Sequence, residues 1–590
     1  MLELERIHRV LERDITSLRS KLSWSTAYRV ISALTIGLMI YWSWGEWSPF
    51  TIGGTFLLIT AFVLSLRRFF KTRDALRACQ AQREEVQMEL RYLKEGYFPL
   101  ANGAKYDQAA HPYSFDLGLF GSGSLFHRLN RCYSKRGEQK LAELLLKVPD
   151  EKAHARSAWY ADLAQQPHYL IQYRALGRAI PPVGDLAERT KVWKERPVKA
   201  PSLAMQISLV VLSILSTGVL LPRFIFYPSL INFQWWLYSF VLNLIVLFFF
   251  QKELRFQLGA IAPLSEQMKG YAKLLAFWEQ HPEQSEMGKA LWQQNFAQAS
   301  APQALKKLGR LLSSLEHLAN PVVLIFLNGL FFYHLWRLNA LALWHQQYAH
   351  RLQAWLDSLA EYEVALSMAQ FHHNHPDFCR PQWSETPILE AQAAGHPFIS
   401  AVQRVTNDFK FDGFQYAILT GSNMSGKSTF LRTIGLNILM AELGLPVCAR
   451  SFTTYPFRIF TSMNTRDNLL QEESYFKAEV SRLKALKESL KATGHSFLIL
   501  DEILRGTNSD DKKNGTRLFI ESLEAAPAFG ILATHDIDIA QLADRSPALY
   551  RKWYFESTVE GDELHFDYRL RQGVCTTPNA TQLMKNNGII

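Results

Sequence analysis

Cysteine is sparse. Cys79, Cys132, Cys379, Cys448 and Cys575 lie far apart in 590 residues, with no C-x-x-C pair and no cleavable signal peptide ahead of them. That pattern excludes a disulfide-stapled secreted scaffold and points to a reducing cytosol. Charge is also thin: 20% of residues are charged and 48% hydrophobic. Disordered and collagen-like classes, which cannot bury enough apolar surface to offset chain entropy, are thereby excluded. The excess of one sign is modest, with 64 Lys and Arg against 54 Asp and Glu, or +10, and a pI near 9.1. Such a balance suits nucleic acid or an anionic membrane surface without choosing between them. At roughly 150 residues per domain, the length implies about four units.

A mean hydropathy of −0.08 conceals long stretches without charge. Val30–Gly45 and Trp47–Leu66 carry none, nor do Pro201–Pro222 and the 28 residues from Phe224 to Gln251. Since about 20 apolar residues cross a bilayer, these read as two membrane hairpins, with spans at about 27–45, 49–66, 203–221 and 231–250. Basic residues flank their outer ends: Arg6, Arg9, Arg13, Arg19 and Lys21, then Arg67, Arg68, Lys71 and Arg73. Around the second hairpin stand Lys191, Lys194, Arg196 and Lys199, then Lys252 and Arg255, with Arg223 in the turn. Both ends of each hairpin are therefore expected in the cytoplasm, as in a bacterial inner membrane protein. Trp24, Trp42, Trp44, Trp47, Trp235 and Trp236 fall near span ends, where indoles favour headgroups. A fifth uncharged run, His317–Trp336, contains Asn320, Pro321, Asn328 and His334 and is expected to be a buried helix.

Between and after the hairpins, segments such as LNRCYSKRGEQKLAELLLKV, YAKLLAFWEQ and WHQQYAHRLQAWLDSLAEYEVALSMAQ repeat apolar residues at helical spacing. His372–Pro387 is rich in loop formers and reads as a solvated linker. Its His372, His373, His375 and Cys379 lack a second ligand pair at zinc spacing.

From about Ile388 the pattern turns to apolar runs alternating with glycine-rich turns, as in an α/β domain. The strand Tyr416–Thr420 leads into Gly421-Ser422-Asn423-Met424-Ser425-Gly426-Lys427-Ser428, with a helix expected from Thr429. This strand, loop and helix form the context of a phosphate-binding loop, whose glycines let backbone N–H groups turn inward and whose helix start adds positive charge. Lys427 would reach the β- and γ-phosphates of ATP, and the Ser428 hydroxyl would hold Mg²⁺. Downstream, the strand Phe497–Leu500 delivers Asp501 and Glu502. Asp501 suits the magnesium shell and Glu502 a general base for the attacking water. A third strand, Gly530–Ala533, ends at Thr534-His535, placing His535 to sense the γ-phosphate.

GSNMSGKSTFLRTIGLN, QEESYFKAEVSRL, LILDEILRGTNSDD, ATHD and the upstream Gly395-His396-Pro397 resemble the ATPase domain of the MutS family of mismatch-repair ATPases, motif by motif from Ile388 to Thr577. The similarity of DLGLFGSGSLFHRLNRCYSKRGEQKLAELL to that family's lever domain is weaker. The resemblance implies a homodimer with composite ATP sites. In these, Asn423 belongs to the phosphate loop and Ser474 reaches the opposite protomer's γ-phosphate; Ser474 also suits a cap for the helix expected over Tyr475–Lys491. It implies double-stranded DNA as partner as well. The family's mismatch-reading domain is not found, and Phe277-Trp278-Glu279 falls inside a helical pattern, so mismatch reading is not expected. With two added hairpins, the chain resembles a membrane-bound MutS-like branch. The expected order is a membrane hairpin (1–85), an all-α lever domain in two parts (86–200 and 253–385) around a second hairpin (201–252), and an α/β P-loop ATPase domain (386–590). An ABC-type transport ATPase fused to spans is the alternative. It would share the phosphate loop but should carry an LSGGQ-like signature where EESYFKAE stands.

Overall fold

The structure is a computed structural model. It describes residues 2–574 apart from 43–47, 109, 148, 150, 182–185, 197, 199–200, 227–232, 298–299, 317–320, 413–414, 423, 464–474, 492–494, 506–507 and 561–562. Two compact units emerge. One comprises Met1–Leu90, Ile171–Glu283 and Gly288–Tyr362; the other comprises Arg91–Leu170, Gln284–Met287 and Glu363–Ile590. The segments 86–200 and 253–385, expected as two parts of one lever domain, are thus each shared between the units.

The second unit is built on two sheets. Its strands are β1 (Gln382–Trp383), β2 (Leu389–Ala394), β3 (Asn407–Phe411), β4 (Tyr416–Thr420), β5 (Ser451–Thr454), β6 (Arg458–Ser462), β7 (Ser496–Asp501), β8 (Ala528–Ala533), β9 (Tyr550–Glu560) and β10 (Glu563–Gln572). The smaller sheet runs β1-β5-β2-β3 and the larger β10-β9-β4-β8-β7-β6. From β9 to β6 the larger sheet is parallel, and β10 closes it antiparallel. Every residue of β4 and β7 is buried, which explains why their sequences are continuous rather than alternating apolar runs: both faces are covered. One face packs Ile418, Leu498, Leu500 and Leu532 with Leu483, Leu486 and Ile520 from helices Tyr475–Ser489 and Ser509–Glu521, and with Leu523 just beyond the second. Arg91–Leu170 adds a helical layer. Its Lys135–Leu146 helix starts where Ser134 accepts from the Gly137 N–H, and Glu363 accepts from the Ser134 N–H and hydroxyl, each at 2.7 Å.

The other unit is helical. Among the described residues, Gly53–Glu95 and Leu203–Arg223 are long and apolar enough to cross a membrane, and a third span arises if Phe233–Phe249 and Gln251–Gln257, bent by 60°, count as one. The span expected at 27–45 lies in the helix Leu2–Trp42 as far as Trp42, with 43–45 falling outside the described residues, and that helix does not meet the measure. Arg29, Tyr28, Tyr41 and Trp42 dilute its apolar window, and Trp44 and Trp47 lie outside the described residues. Below its apolar half, the helix Pro49–Glu95 buries Glu85 and Glu89 against Arg174, with Arg174 Nη1 2.5 Å from Glu89, and Arg178 also pairs with Glu85.

Two expectations need correction. The helix Tyr333–Asn374 continues through His372 and His373, so the linker does not begin there; the buried Leu366, Met368, Ala369 and Phe371 carry helical packing to its end. No group of three His, Cys, Asp or Glu among the described residues is placed to hold a metal ion. Of the fifth apolar run, 317–320 lie outside the described residues, Pro321–Phe331 forms one helix and Tyr333 opens the next, and from Ile325 to Phe331 the first helix is only partly buried. Asn243 Nδ2 donates to the Gly329 carbonyl at 2.7 Å, while Ile325, Phe326 and Phe331 are exposed. Phe277-Trp278-Glu279 ends the helix Ser265–Glu279, with Trp278 fully buried and its indole donating to Glu283 at 3.0 Å.

Candidate functional site

Ligands of open α/β sheets bind beyond the carboxyl ends of the strands, and here β4, β7 and β8 deliver their chemistry to one such edge. After β4 the chain turns at Gly421, where an added Cβ would meet the Phe555 carbonyl at 2.9 Å, and again at Gly426, whose φ of +99° and 2.8 Å approach to the Tyr568 ring exclude a side chain. Gly426 caps the helix Lys427–Glu442, two residues earlier than the start expected at Thr429. Between the glycines the Ser425 hydroxyl is buried without a hydrogen-bond partner among the described residues, and Met424 holds φ 66°. A loop of this kind, closed by two obligatory glycines and opening a helix, forms a cradle for phosphate. Asn423 and Ser474 lie outside the described residues.

Charged and titratable side chains converge on the loop. Lys427 Nζ donates to the Gly421 and Ser422 carbonyls, both at 2.9 Å, and lies 3.4 Å from His535 Nε2. Burial lowers its pKa, while Glu502 and Asp501 favour the charged form. Ser428 Oγ donates to Asp501 Oδ2 at 2.6 Å. A hydroxyl and a carboxylate so paired supply the hard oxygen donors that Mg²⁺ requires. Glu502 Oε1 lies 2.7 Å from His535 Nε2, and its Oε2 faces Arg505 at 3.4 Å and Lys512 at 3.9 Å. The hydrogen bond to His535, ahead of these charges and against the cost of burial, pulls the Glu502 carboxyl down to about 2. Glu502 is therefore an ionised acceptor at any neutral pH.

The turn bearing Glu502 is strained: Glu502 adopts φ 48° and Leu504 φ 62°. A non-glycine residue in the left-handed region costs on the order of 1–3 kcal/mol and persists only where its surroundings over-determine it. Two of those surroundings are the Glu502 N–H, which continues the sheet by donating to the Ala533 carbonyl at 2.9 Å, and Glu479, which accepts from the Leu504 and Arg505 N–H groups at 2.7 and 3.1 Å.

A cleft of ≈ 750 Å³ contains Ser422, Met424, Ser425, Gly426, Lys427, Ser428, Thr429, Asp501 and Glu502. His535 stands beside it through Glu502 and Lys427. Sequence reasoning missed several other walls of the cleft: Ile399, Gln403, Val405, Asn407, Arg505, Phe555 and Tyr568. Arg505 had a signal, three positions after Glu502. Tyr568 had none, because it arrives through a register shift between Phe566 and Leu570 and is held by Asn407, whose Nδ2 donates to its carbonyl at 3.0 Å. His396, from the Gly395-His396-Pro397 stretch, also lines the cleft; burial, then Arg432, Arg128 and Arg404, lower its pKa to about 4. It offers the cleft an uncharged ring.

Part of the chain is similar to known proteins. Residues 417–588 match the MutS domain V model. The DNA mismatch repair protein MutS of Thermotoga neapolitana is 35% identical over 202 residues, covering 34% of this chain and 25% of that protein. MutS of Leuconostoc mesenteroides is 30% identical over 231 residues, covering 38% and 27%. The DNA mismatch repair protein MSH4 of Arabidopsis thaliana is 30% identical over 206 residues, covering 34% and 26%. The chain thus spans about a quarter of the length of these relatives. Its C-terminal α/β region is a MutS-type ATPase domain, preceded by a largely helical region.

Proposed function

We propose that the chain is a membrane-anchored, MutS-like ATPase working as a homodimeric clamp on double-stranded DNA, opened and closed by ATP binding and hydrolysis. One observation carries the catalytic part: an ionised Glu502 stands beside the Lys427 loop and the Ser428–Asp501 pair within a single cleft. Backbone N–H groups from Gly421 to Thr429 and the Lys427 ammonium bind the phosphates of ATP. Glu502 accepts the proton of the attacking water, and His535 holds its carboxylate in place. Ser428 and Asp501 would hold Mg²⁺, which when bound neutralises charge on the phosphate oxygens. Ser474 of a second copy completes each site in the manner of the family.

The anchoring reading rests on the exposed apolar helices Gly53–Glu95 and Leu203–Arg223, the bent pair after Phe233 and the basic flanks of the runs at 27–66 and 203–250. With two hairpins inserted, the ATPase and lever regions face the cytoplasm, where ATP is available. The DNA reading rests on the names of the relatives and the net charge of +10. Contacts by Lys and Arg to phosphates make such binding sequence-independent and steeply salt-dependent.

The test is an ATPase assay on detergent-solubilised protein with homoduplex, mismatched and branched DNA, beside gel-shift titrations at low salt. DNA-stimulated turnover and binding that falls with salt are expected. Absence of DNA affinity with and without ATP removes the DNA reading, and turnover in proteoliposomes that responds to a transported solute but not to DNA installs the ABC-type transporter instead.

A further inference from the structure

The Glu502 turn is held from outside the cleft by a short series of buried charges. Glu479, 3% exposed, lies on the helix Tyr475–Ser489 and accepts from the N–H groups of Leu504 and Arg505. Arg505 in turn donates to the Glu502 carbonyl at 3.1 Å and faces its carboxylate. One helical step from Glu479, and so on a neighbouring part of the same face, stands Arg482. Its Nε donates to the Thr461 carbonyl at 2.9 Å and its Nη2 to Asp116 Oδ2 at 3.0 Å. That single Asp116 oxygen also accepts from the Thr461 hydroxyl at 2.8 Å and the Met463 N–H at 3.2 Å. Asp116 is 1% exposed and belongs to the helical layer 91–170, far in sequence from the ATPase motifs.

We propose that Glu479 is a positioning residue for Glu502, and that Arg482 and Asp116 fix Glu479 in turn, so that the helical layer 91–170 sets the placement of the base. The strain at Glu502 and Leu504 gives the contact its purpose. Left-handed residues relax unless the N–H groups of their turn are engaged; the Ala533 carbonyl engages that of Glu502, and Glu479 engages those of Leu504, two residues on, and of Arg505 after it. No other described residue is shown accepting from those two N–H groups. The helix is fixed at Arg482 to the end of β6 and to Asp116, so Glu479 cannot follow the turn if it relaxes. Glu479, Arg482 and Asp116 do not line the cleft, so they act on hydrolysis and not on nucleotide affinity.

The inference rests on Glu502 being the base, and the experiment separates the two. Full-length protein in detergent carrying Glu479→Gln, Glu502→Gln or both is compared with wild type for kcat, KM and equilibrium ATP binding in EDTA. A carboxamide nitrogen cannot accept from an N–H, so Glu479→Gln releases one of the two anchors. Because displacement of a catalytic group by an ångström costs up to about 10²-fold, kcat is expected to fall by about 10- to 100-fold with ATP affinity unchanged. The double variant is expected to be no slower than Glu502→Gln alone, the signature of residues acting as one unit. Arg482→Lys and Asp116→Asn should shift kcat in the same direction by less, and Lys484→Ala, exposed on the same helix, should not. Unchanged kcat in Glu479→Gln, or losses that multiply in the double variant, overturn the proposal. Unchanged turnover in Glu502→Gln overturns the general-base reading beneath it. If Glu479→Gln fails to fold, Arg482→Lys in the Glu502→Gln background reads the same non-additivity.

Discussion

The two units spend apolar residues in opposite ways. In the ATPase unit the most apolar strands, β4 and β7, are wholly buried. In the helical unit, equally apolar helices leave Phe56 and Leu203 72% exposed and Phe249 79% exposed. Hydrophobicity alone does not tell a core from a lipid-facing surface; the partner does, and a broad exposed apolar surface marks an interaction site. Polar groups divide in the same way. In the ATPase unit Lys427, Asp501 and Glu502 converge on one cleft, whereas in the helical unit Asn243 bonds the Gly329 carbonyl and the Glu85, Glu89 and Arg174 set pairs internally, leaving no comparable reaction centre among the described residues.

The sharpest way to break that contrast is at the base. Glu502→Gln keeps shape and ATP binding but removes the proton acceptor, so hydrolysis is expected to slow by about 10² or more. Single-turnover rates beside equilibrium ATP binding check this, and an unchanged rate would falsify the role. The exposed apolar surface is tested by a pair of identical substitutions in the two units. Leu242, 45% exposed within Phe233–Phe249, and Leu518, 57% exposed on Ser509–Glu521, have similar exposure. Arginine at the centre of a membrane helix costs about 2.5–3.5 kcal/mol, so Leu242→Arg should reduce the carbonate-resistant membrane fraction while Leu518→Arg leaves it intact. Equal behaviour would show that both surfaces face water. Lys427→Ala returns to the cleft. Losing a charged hydrogen-bond donor, about 1.5–3 kcal/mol, should weaken ATP binding itself roughly 10- to 100-fold in an equilibrium titration, in contrast with Glu502→Gln.

How far the sequence reached follows the same division. The phosphate loop, the Asp501-Glu502 pair and His535 were legible because each sits at the end of a short apolar strand, and adjacency in sequence becomes adjacency in space once parallel strands align. Tyr568, Asn407 and Asp116 were not, since their roles depend on a register shift, an edge contact and a docking of distant segments that no local pattern encodes. Among the helices, length and charge exclusion found the apolar runs. They did not separate Leu2–Trp42 from the others, nor show that Pro321–Phe331 is only partly buried from Ile325 onward, because burial depends on the neighbour and not on the run. His372 and His373 read as linker because loop formers follow them, whereas the helical packing of the buried Leu366, Met368 and Phe371 carries the helix past them.

The smallest predicted effect concerns acid, and it belongs to the ATPase unit. His375 Nε2 is hydrogen-bonded to the Tyr92 hydroxyl at 2.7 Å, and its ring stacks on Phe378 at 4.7 Å. Burial lowers its pKa to about 4, with Arg131, Arg404 and Arg128 adding to the shift and Asp377 opposing it. His396 is lowered to about 4 as well, again chiefly by burial. A histidine with a depressed folded pKa binds its proton more readily when unfolded, so between about pH 6.5 and 4 the unfolded state carries more protons and stability rises with pH. Above about 6.5 both states are neutral and the dependence vanishes. Each such histidine contributes at most about 1.4 kcal/mol per pH unit within that window, less where the ring is partly exposed. His375→Gln keeps a partner for the Tyr92 hydroxyl but cannot titrate, so the fall in melting temperature from pH 6.5 to 4 should become shallower while the value at pH 8 changes little. Glu502 cannot imitate this behaviour. Its carboxyl, lowered to about 2, contributes stability that is complete above the ordinary carboxylate range near 4.5 and is lost only as pH falls from there toward 2. A variant slope equal to wild type would show that the ring of His375 is reached by solvent and protons in the folded protein.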